Sequence, residues 1–258
     1  MNPLNGPARD WHKWGSDNPY FGVFTAERFL NANLTDDSRR EFFASGEQHV
    51  EHIYSVIRSK IQSNLQADRI LDYGCGVGRL LIPFARRART VVGLDISPGM
   101  LSQAKENCEQ YGVSWVRLLP AHELDSLEPA SFDLVHSFIV FQHIPVSHGE
   151  RLFRKLISLL AENGVGAVHI TFSDVRSALR RAELAVRVRS LLMHGLLNRV
   201  QGRPFSWPRM QMNSYSMNRL FNILIDARCS NLHVEFSDHG GFRGAMLYFQ
   251  KSSQADRL

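Results

Sequence analysis

At 258 residues, 44% of them apolar, the chain can bury one substantial core, so one α/β domain with an insertion or cap is the natural expectation. No run approaches the ~18 uninterrupted apolar residues of a membrane span, and the start MNPLNGPARDWHKW lacks the basic-then-apolar pattern of a secretory signal. The net charge of +5 is local: between Asp174 and Met210 eight arginines stand against two acids, more than the whole chain's excess, so the remainder is close to neutral. The cysteines, Cys75, Cys108 and Cys229, are odd in number and widely separated, without a CxxC pair. Neither a disulfide framework nor a metal site is indicated, and a reducing cytoplasm is the expected compartment.

Residues 1–44 are rich in Asn, Asp, Pro, Gly and aromatics, as in DWHKWGSDNPYFGVFTAERF, and show no sustained period. They are expected to form an N-terminal cap or irregular arm. Ser45 then opens a helix with capping-box spacing to Gln48, and Val50, Ile53, Ile57, Ile61 and Leu65 mark its apolar face. From Arg69 strands and helices alternate. RILDY is a strand, Gly74, Gly76 and Gly78 a turn, and Arg79 to Ala88 a helix. TVVGLD is the second strand, followed by a helix with Ser97 as N-cap and Pro98 in its first position. SWVRLL and FDLVHSFIVF are strands three and four, and a helix capped by Ser147, with Glu150 three residues on, runs to Gly164. VGAVHITF is strand five.

The rhythm breaks at 174–210, where one helix, DVRSALRRAELAVRVRSLLMHGLLNRV, precedes the loop QGRPFSWPRM. It returns in SMNRLFNILIDARC, whose Met217, Leu220, Phe221, Leu224 and Ile225 lie on one helical face. LHVEFS, the turn DHGG and RGAMLYFQK close the chain as a β-hairpin. The predicted fold is therefore an α/β, Rossmann-like, seven-stranded, mostly parallel sheet with helices on both faces, a terminal antiparallel hairpin and a helical cap insertion. Residues 1–44 are expected to be the cap or arm, and 45–258 the main domain with its lid at 174–210.

A glycine turn between strand and helix is sometimes only tight packing. Here the order Asp72-Tyr-Gly74-Cys-Gly76-Val-Gly78 puts the third glycine one position early for a dinucleotide fingerprint, and no Gly-Lys-Ser/Thr follows, which excludes a P-loop. Asp72 is more informative. A carboxylate at the mouth of a phosphate cradle would repel its ligand, whereas it suits one with a cationic end. S-adenosylmethionine has no phosphate and carries an ammonium and a sulfonium. Asp95, ending strand two, is placed to accept from both ribose hydroxyls, although NAD sites use an acid in the same way.

LDYGCGVGRLLIPFA, VVGLDISPGML and SFDLVHSFIVFQHI resemble successive motifs of the class I S-adenosylmethionine-dependent methyltransferases, in particular the large group acting on small molecules. The likeness covers roughly residues 45 to 173, and the closing helix and hairpin resemble that family's last two strands. It implies that Asp72, Gly74, Cys75, Gly76 and Gly78 form the first motif, that Asp95 binds ribose, and that Ile96 and Met100 pack on the adenine, with Phe138 also in the cofactor set. Where the family commonly has an acidic residue after strand three, this chain has Pro120, Ala121 and His122, so the Ala121 backbone and the His122 side chain take the adenine-side role.

Methyl transfer is an in-line displacement whose main demands are alignment and exclusion of water. A base is needed only for an acceptor protonated at working pH. His143, in FQHIP after strand four, and His239, in the DHGG turn, are the candidates. His169, inside strand five, reads as a core residue. Tyr20 and Phe21 are candidate pocket-lining residues. Arg180 and Arg187 are candidates for an anionic or lipid- or sugar-linked acceptor. The arginine-rich segment is read first as a substrate lid, and alternatively as an amphipathic contact, through 174–200, with an anionic membrane or as a dimer interface. The expected activity is methylation of oxygen or nitrogen on a small or medium-sized molecule. An RNA or other nucleic-acid methylase, and a non-catalytic S-adenosylmethionine-binding protein at a membrane surface, are the alternatives. A dehydrogenase fits least.

Overall fold

In the computed structural model, residues 7–253 are described. The seven strands are β1 (Arg69–Tyr73), β2 (Thr90–Asp95), β3 (Arg117–Pro120), β4 (Phe132–Ser137), β5 (Leu160–Asp174), β6 (Cys229–Asp238) and β7 (Phe242–Lys251). They form one sheet in the order β3-β2-β1-β4-β5-β7-β6. β1 to β5 pair in parallel, and β7 runs antiparallel to both β5 and β6. The strand order reverses beside β1, so the carboxyl ends of β1 and β4 flank the crevice where open α/β sheets bind ligands.

Residues 7–44 are more regular than expected, residues 1–6 of the anticipated arm lying outside the described residues. α1 (Pro7–Asp17) and α2 (Pro19–Val23) are helices, each with proline at its start, and Asp10 and Trp11, four and three residues before Trp14, share with it the side that α1 turns inward. α3 (Asp36–Val56) does not begin at Ser45: Thr35 caps it, accepting from the Ser38 amide at 3.2 Å while the Ser38 hydroxyl accepts from the Thr35 amide at 2.9 Å. Ser45 lies inside the helix, donating to the Phe42 carbonyl at 2.6 Å. The division anticipated at residue 44 therefore falls mid-helix.

α4 (Leu81–Ala85) is shorter than the predicted 79–88 helix, and α5 (Pro98–Gln110) starts on Ser97 as expected. β4 stops at Ser137 because Ile139 takes φ 58°, a left-handed conformation costly for a β-branched residue. α6 (Val146–Leu159) begins directly after Pro145 without a side-chain cap, and Glu150 accepts instead from Arg219 at 2.6 Å. The single helix predicted after β5 is two, α7 (Ala178–Arg189) and α8 (Leu191–Val200). They are divided at Ser190, whose extended backbone breaks α7 and whose hydroxyl accepts from the Met193 amide to cap α8. α9 (Met217–Asp226) and the hairpin follow prediction.

The sheet separates two apolar layers. One gathers Phe42, Val50, Ile53 and Phe84 over Ile70 and Leu134, and the other gathers Phe141, Phe153, Leu156 and Leu220 under Leu71 and Val135. Alternation along the strands puts Asp72, His136, Phe138 and His169 on the α3 side, near the carboxyl edge.

Candidate active site

The turn after β1 is built by three glycines in the left-handed region, Gly74 (φ 77°), Gly76 (φ 53°) and Gly78 (φ 89°). Two are also required by close approach. A Cβ on Gly74 would stand 2.2 Å from Val140 Cγ2, and one on Gly76 2.5 Å from Val23 Cγ2. The amides of Gly74 and Cys75 donate to the Leu94 carbonyl, tying the loop to β2. Cys75 is buried, and burial raises its thiol well above its ordinary pKa.

Asp95 completes the cradle. Its Oδ2 accepts from the Gly76 amide at 3.0 Å and its Oδ1 from the Ser97 amide at 2.8 Å. Burial pushes this carboxyl up to about 6 despite those two bonds. Each oxygen keeps a lone-pair direction for a further donor.

Asp72 pairs in register with His136 across β1 and β4. The carboxylate Oδ1 and the His136 ring Nδ1 are 2.7 Å apart, and both side chains are almost wholly buried. A bond to the carboxylate assigns the proton to Nδ1 and leaves Nε2 as the acceptor. That atom, the Nε2 of His49 on α3 and the Nε of Arg79 are buried without a partner among the described residues. Arg79 lies against α3, with Nη1 3.3 Å from the Ser45 hydroxyl. Burial lowers it to about 10, opposed by the nearby Asp72. Burial also holds His49 down at about 2, with His136 next among the causes.

A second layer sits above β4 and β5. Phe138 is in ring contact with His49 at 4.1 Å, with His169 at 5.3 Å and with His239 at 6.3 Å. His169 is buried, its Nε2 2.8 Å from the Ser237 hydroxyl, and burial lowers it to about 3. His239 lies exposed in the hairpin turn, 5.3 Å from His169, and is also lowered, first by desolvation. His143 is held on both ring nitrogens: Nδ1 donates to the Gln211 carbonyl at 2.7 Å, leaving Nε2 to accept from the Gln142 amide at 3.3 Å. Burial lowers it to about 4.

The roof is aromatic. Trp14 meets Phe21 at 5.3 Å and Trp207 at 5.1 Å, and Trp11 stands edge-on to His143 at 4.8 Å. Asp10 accepts from Arg209 Nε at 2.9 Å, clamping α1 to the segment after α8. Gly15 packs directly on Ser97 and Gly99, and His12 Nε2 donates to the Ile96 carbonyl at 3.0 Å, so α1 lies across the start of α5.

The structure thus brings Asp72, the three glycines, Cys75, Asp95, Met100 and Phe138 to one edge of the sheet. Ile96 is half exposed there, and Ala121 and the exposed His122 open the turn after β3. Phe21 joins the roof. Tyr20 does not: it is buried against Phe42 and donates to Asn107 Oδ1 at 2.8 Å, while Asn107 donates to the Val77 carbonyl. Arg187 lies between α7 and α8, bonding Glu183 at 2.9 Å and Asn198 at 2.8 Å, and Arg180 is exposed. Sequence reasoning missed His49, His136, Arg79, Trp14 and Trp207. Only the register of β1 with β4 makes His136 a partner of Asp72, and no local pattern reports it.

The three-glycine cradle, with the carboxylates of Asp72 and Asp95 beside it, fits a ligand with hydroxyl and ammonium donors, which is the chemistry of S-adenosylmethionine. Residues 70–164 match the family model of a methyltransferase domain. A 23S rRNA (uracil(1939)-C(5))-methyltransferase of Burkholderia pseudomallei is 30% identical over 101 residues, 39% of this chain and 22% of the relative. A ubiquinone biosynthesis O-methyltransferase of Methylocella silvestris is 30% identical over 138 residues, 53% of this chain and 50% of the relative. The chain thus spans half or less of the length of these curated relatives. In fold it is similar to the magnesium protoporphyrin IX methyltransferase of Synechocystis PCC 6803 with bound S-adenosylmethionine, at TM-score 0.61 and 15% identity over 98% of this chain and 100% of that one. Together, the family match and the strand order show a methyltransferase domain at residues 70–164, within a sheet that has the fold of the class I S-adenosylmethionine-dependent methyltransferases.

Proposed function

We propose that the protein transfers the methyl group of S-adenosylmethionine to an oxygen or nitrogen of a small or medium-sized, largely apolar acceptor. The observation that carries this reading is the adjacency of the glycine–Asp95 cradle to a roof of Trp11, Trp14, Phe21 and Trp207. Such a roof excludes water: Trp14 is buried and anchors it, while the partly buried Trp11, Phe21 and Trp207 offer apolar faces to an acceptor. Two similar proteins are named for ubiquinone biosynthesis and for magnesium protoporphyrin IX, which supports an acceptor of this kind.

In this reading the bound cofactor supplies an electrophilic methyl group to be displaced in line. Asp95 accepts from the ribose hydroxyls, with Ile96, Met100, Ala121 and His122 on the adenine side. Asp72, held by His136, faces the ammonium directly or through water. Gly74, Cys75, Gly76 and Gly78 let the backbone approach the amino-acid part, and Phe138 shields the reacting side. For a hydroxyl acceptor, His239 would take up the hydroxyl proton as the oxygen is methylated. His143, with both nitrogens engaged, is a positioning residue that fixes the roof through Gln211. Phe21 lines the acceptor site.

The test is methyl transfer from labelled S-adenosylmethionine to a panel of hydroxylated aromatic acceptors. Acceptor-dependent product is expected, with His239→Gln lowering kcat while leaving KM nearly unchanged. Tight cofactor binding with no transfer to any acceptor would favour a non-catalytic cofactor-binding protein.

A further inference from the structure

α8 is built inside out. The residues that α8 buries are His194, Gly195 and Asn198. His194 Nε2 donates to the Trp207 carbonyl at 2.7 Å, Asn198 bonds Arg187, and Gly195 lies against the Phe205 ring. The polar side of the helix therefore holds the loop leading to the roof. The apolar side faces outward: Leu191, Leu192, Met193, Leu196 and Val200 are exposed, the last at 85%, and Leu179 of α7 joins them at 83%. This is the reverse of a helix folded against its own core, whose apolar stripe faces inward.

Charge selects what covers that face. Arg180, Arg199 and Arg203 are exposed and have no acidic partner among the described residues. The hairpin's acid, Glu183, is taken by Arg187, and Asp174 before it by Arg176. Leucines rimmed by unneutralised arginines match an anionic lipid surface, which accepts both the apolar side chains and the cations. A second copy of the same face would bring like charges together. No helix among the described residues is long and apolar enough to cross a membrane, so the contact is peripheral.

We infer that the α7–α8 hairpin docks this protein on anionic membranes, with Leu179, Leu192, Leu196 and Val200 in the interface and Arg180 and Arg199 on the headgroups. The claim concerns binding and stands whether or not the proposed acceptor is correct.

The experiment is co-sedimentation of the full chain with phosphatidylcholine vesicles, with and without phosphatidylglycerol. The wild type is expected to sediment only with the anionic vesicles and to be released by salt. Arg180→Gln with Arg199→Gln should weaken binding about 30-fold, at about fivefold per arginine. Leu192→Asp with Leu196→Asp should weaken it by more than about tenfold. Both pairs face outward, so S-adenosylhomocysteine binding by each variant should equal that of the wild type. Equal binding to neutral vesicles, no binding to either, or binding unchanged in both double variants would overturn the inference. A wild-type dimer split by Leu192→Asp, or salt-sensitive RNA retention without vesicle binding, would assign the face to a second copy or to nucleic acid and equally overturn it.

Discussion

Acid should destabilise this protein through imidazoles that are buried uncharged. Burial lowers His49 to about 2, His169 to about 3 and His143 to about 4, from an ordinary value of 6.5. Between about pH 4 and 6.5 the unfolded chain binds protons on these rings that the folded chain refuses, so stability is lost as pH falls through that window. Taking the protein from pH 7 to pH 5 costs about 2 kcal/mol per ring, or about 6 kcal/mol for three. Asp95 opposes this: raised to about 6, it binds its proton in the folded state first and returns about 1 kcal/mol over the same interval. His194 and His239 are lowered as well and add to the loss. A net fall of about 5 kcal/mol or more is therefore expected in the free energy of urea unfolding of the cofactor-free protein. His143→Gln, which keeps an amide donor to the Gln211 carbonyl, should remove about 2 kcal/mol of the pH dependence. Stability that is flat or rises from pH 7 to pH 5 would refute the assignment of neutral buried rings.

Three further outcomes follow from the cradle. Gly74→Ala places a methyl 2.2 Å from Val140 Cγ2 on a backbone at φ 77°, and should cost about 1–3 kcal/mol in thermal unfolding as well as cofactor affinity, with Val140→Ala restoring part of the stability. Because the Asp95 carboxyl is raised to about 6, S-adenosylhomocysteine affinity measured by calorimetry should fall about tenfold per pH unit below that value, and Asp95→Asn should abolish the dependence. His136→Leu leaves the buried Asp72 carboxylate without its 2.7 Å partner and should cost about 2–3 kcal/mol in unfolding, with Asp72→Asn in the same background recovering stability.

The part of the fold that repeats was legible in the sequence, because each strand and helix from Arg69 to Asp174 carries its own period and the glycine spacing is local. What sequence reasoning missed depends on contacts between distant segments. Trp11 and Trp14 acquire a role only when α1 crosses α5, and Trp207 only when the loop after α8 folds back on them. Ser190 reads as one more polar residue in a long helix, and its function as a cap shows only once the chain reverses there. The apolar and basic residues of 174–200 were visible, but composition could not say which side faced outward. The buried polar side of α8 decides that.

The central claim is that the turn after β1 seats S-adenosylmethionine and not a dinucleotide. Calorimetric titration of the full chain with S-adenosylhomocysteine and with NAD tests it most directly. One S-adenosylhomocysteine site is expected, weakened by about tenfold or more in Asp95→Ala, with no heat from NAD. Saturable NAD binding without S-adenosylhomocysteine binding would contradict the account.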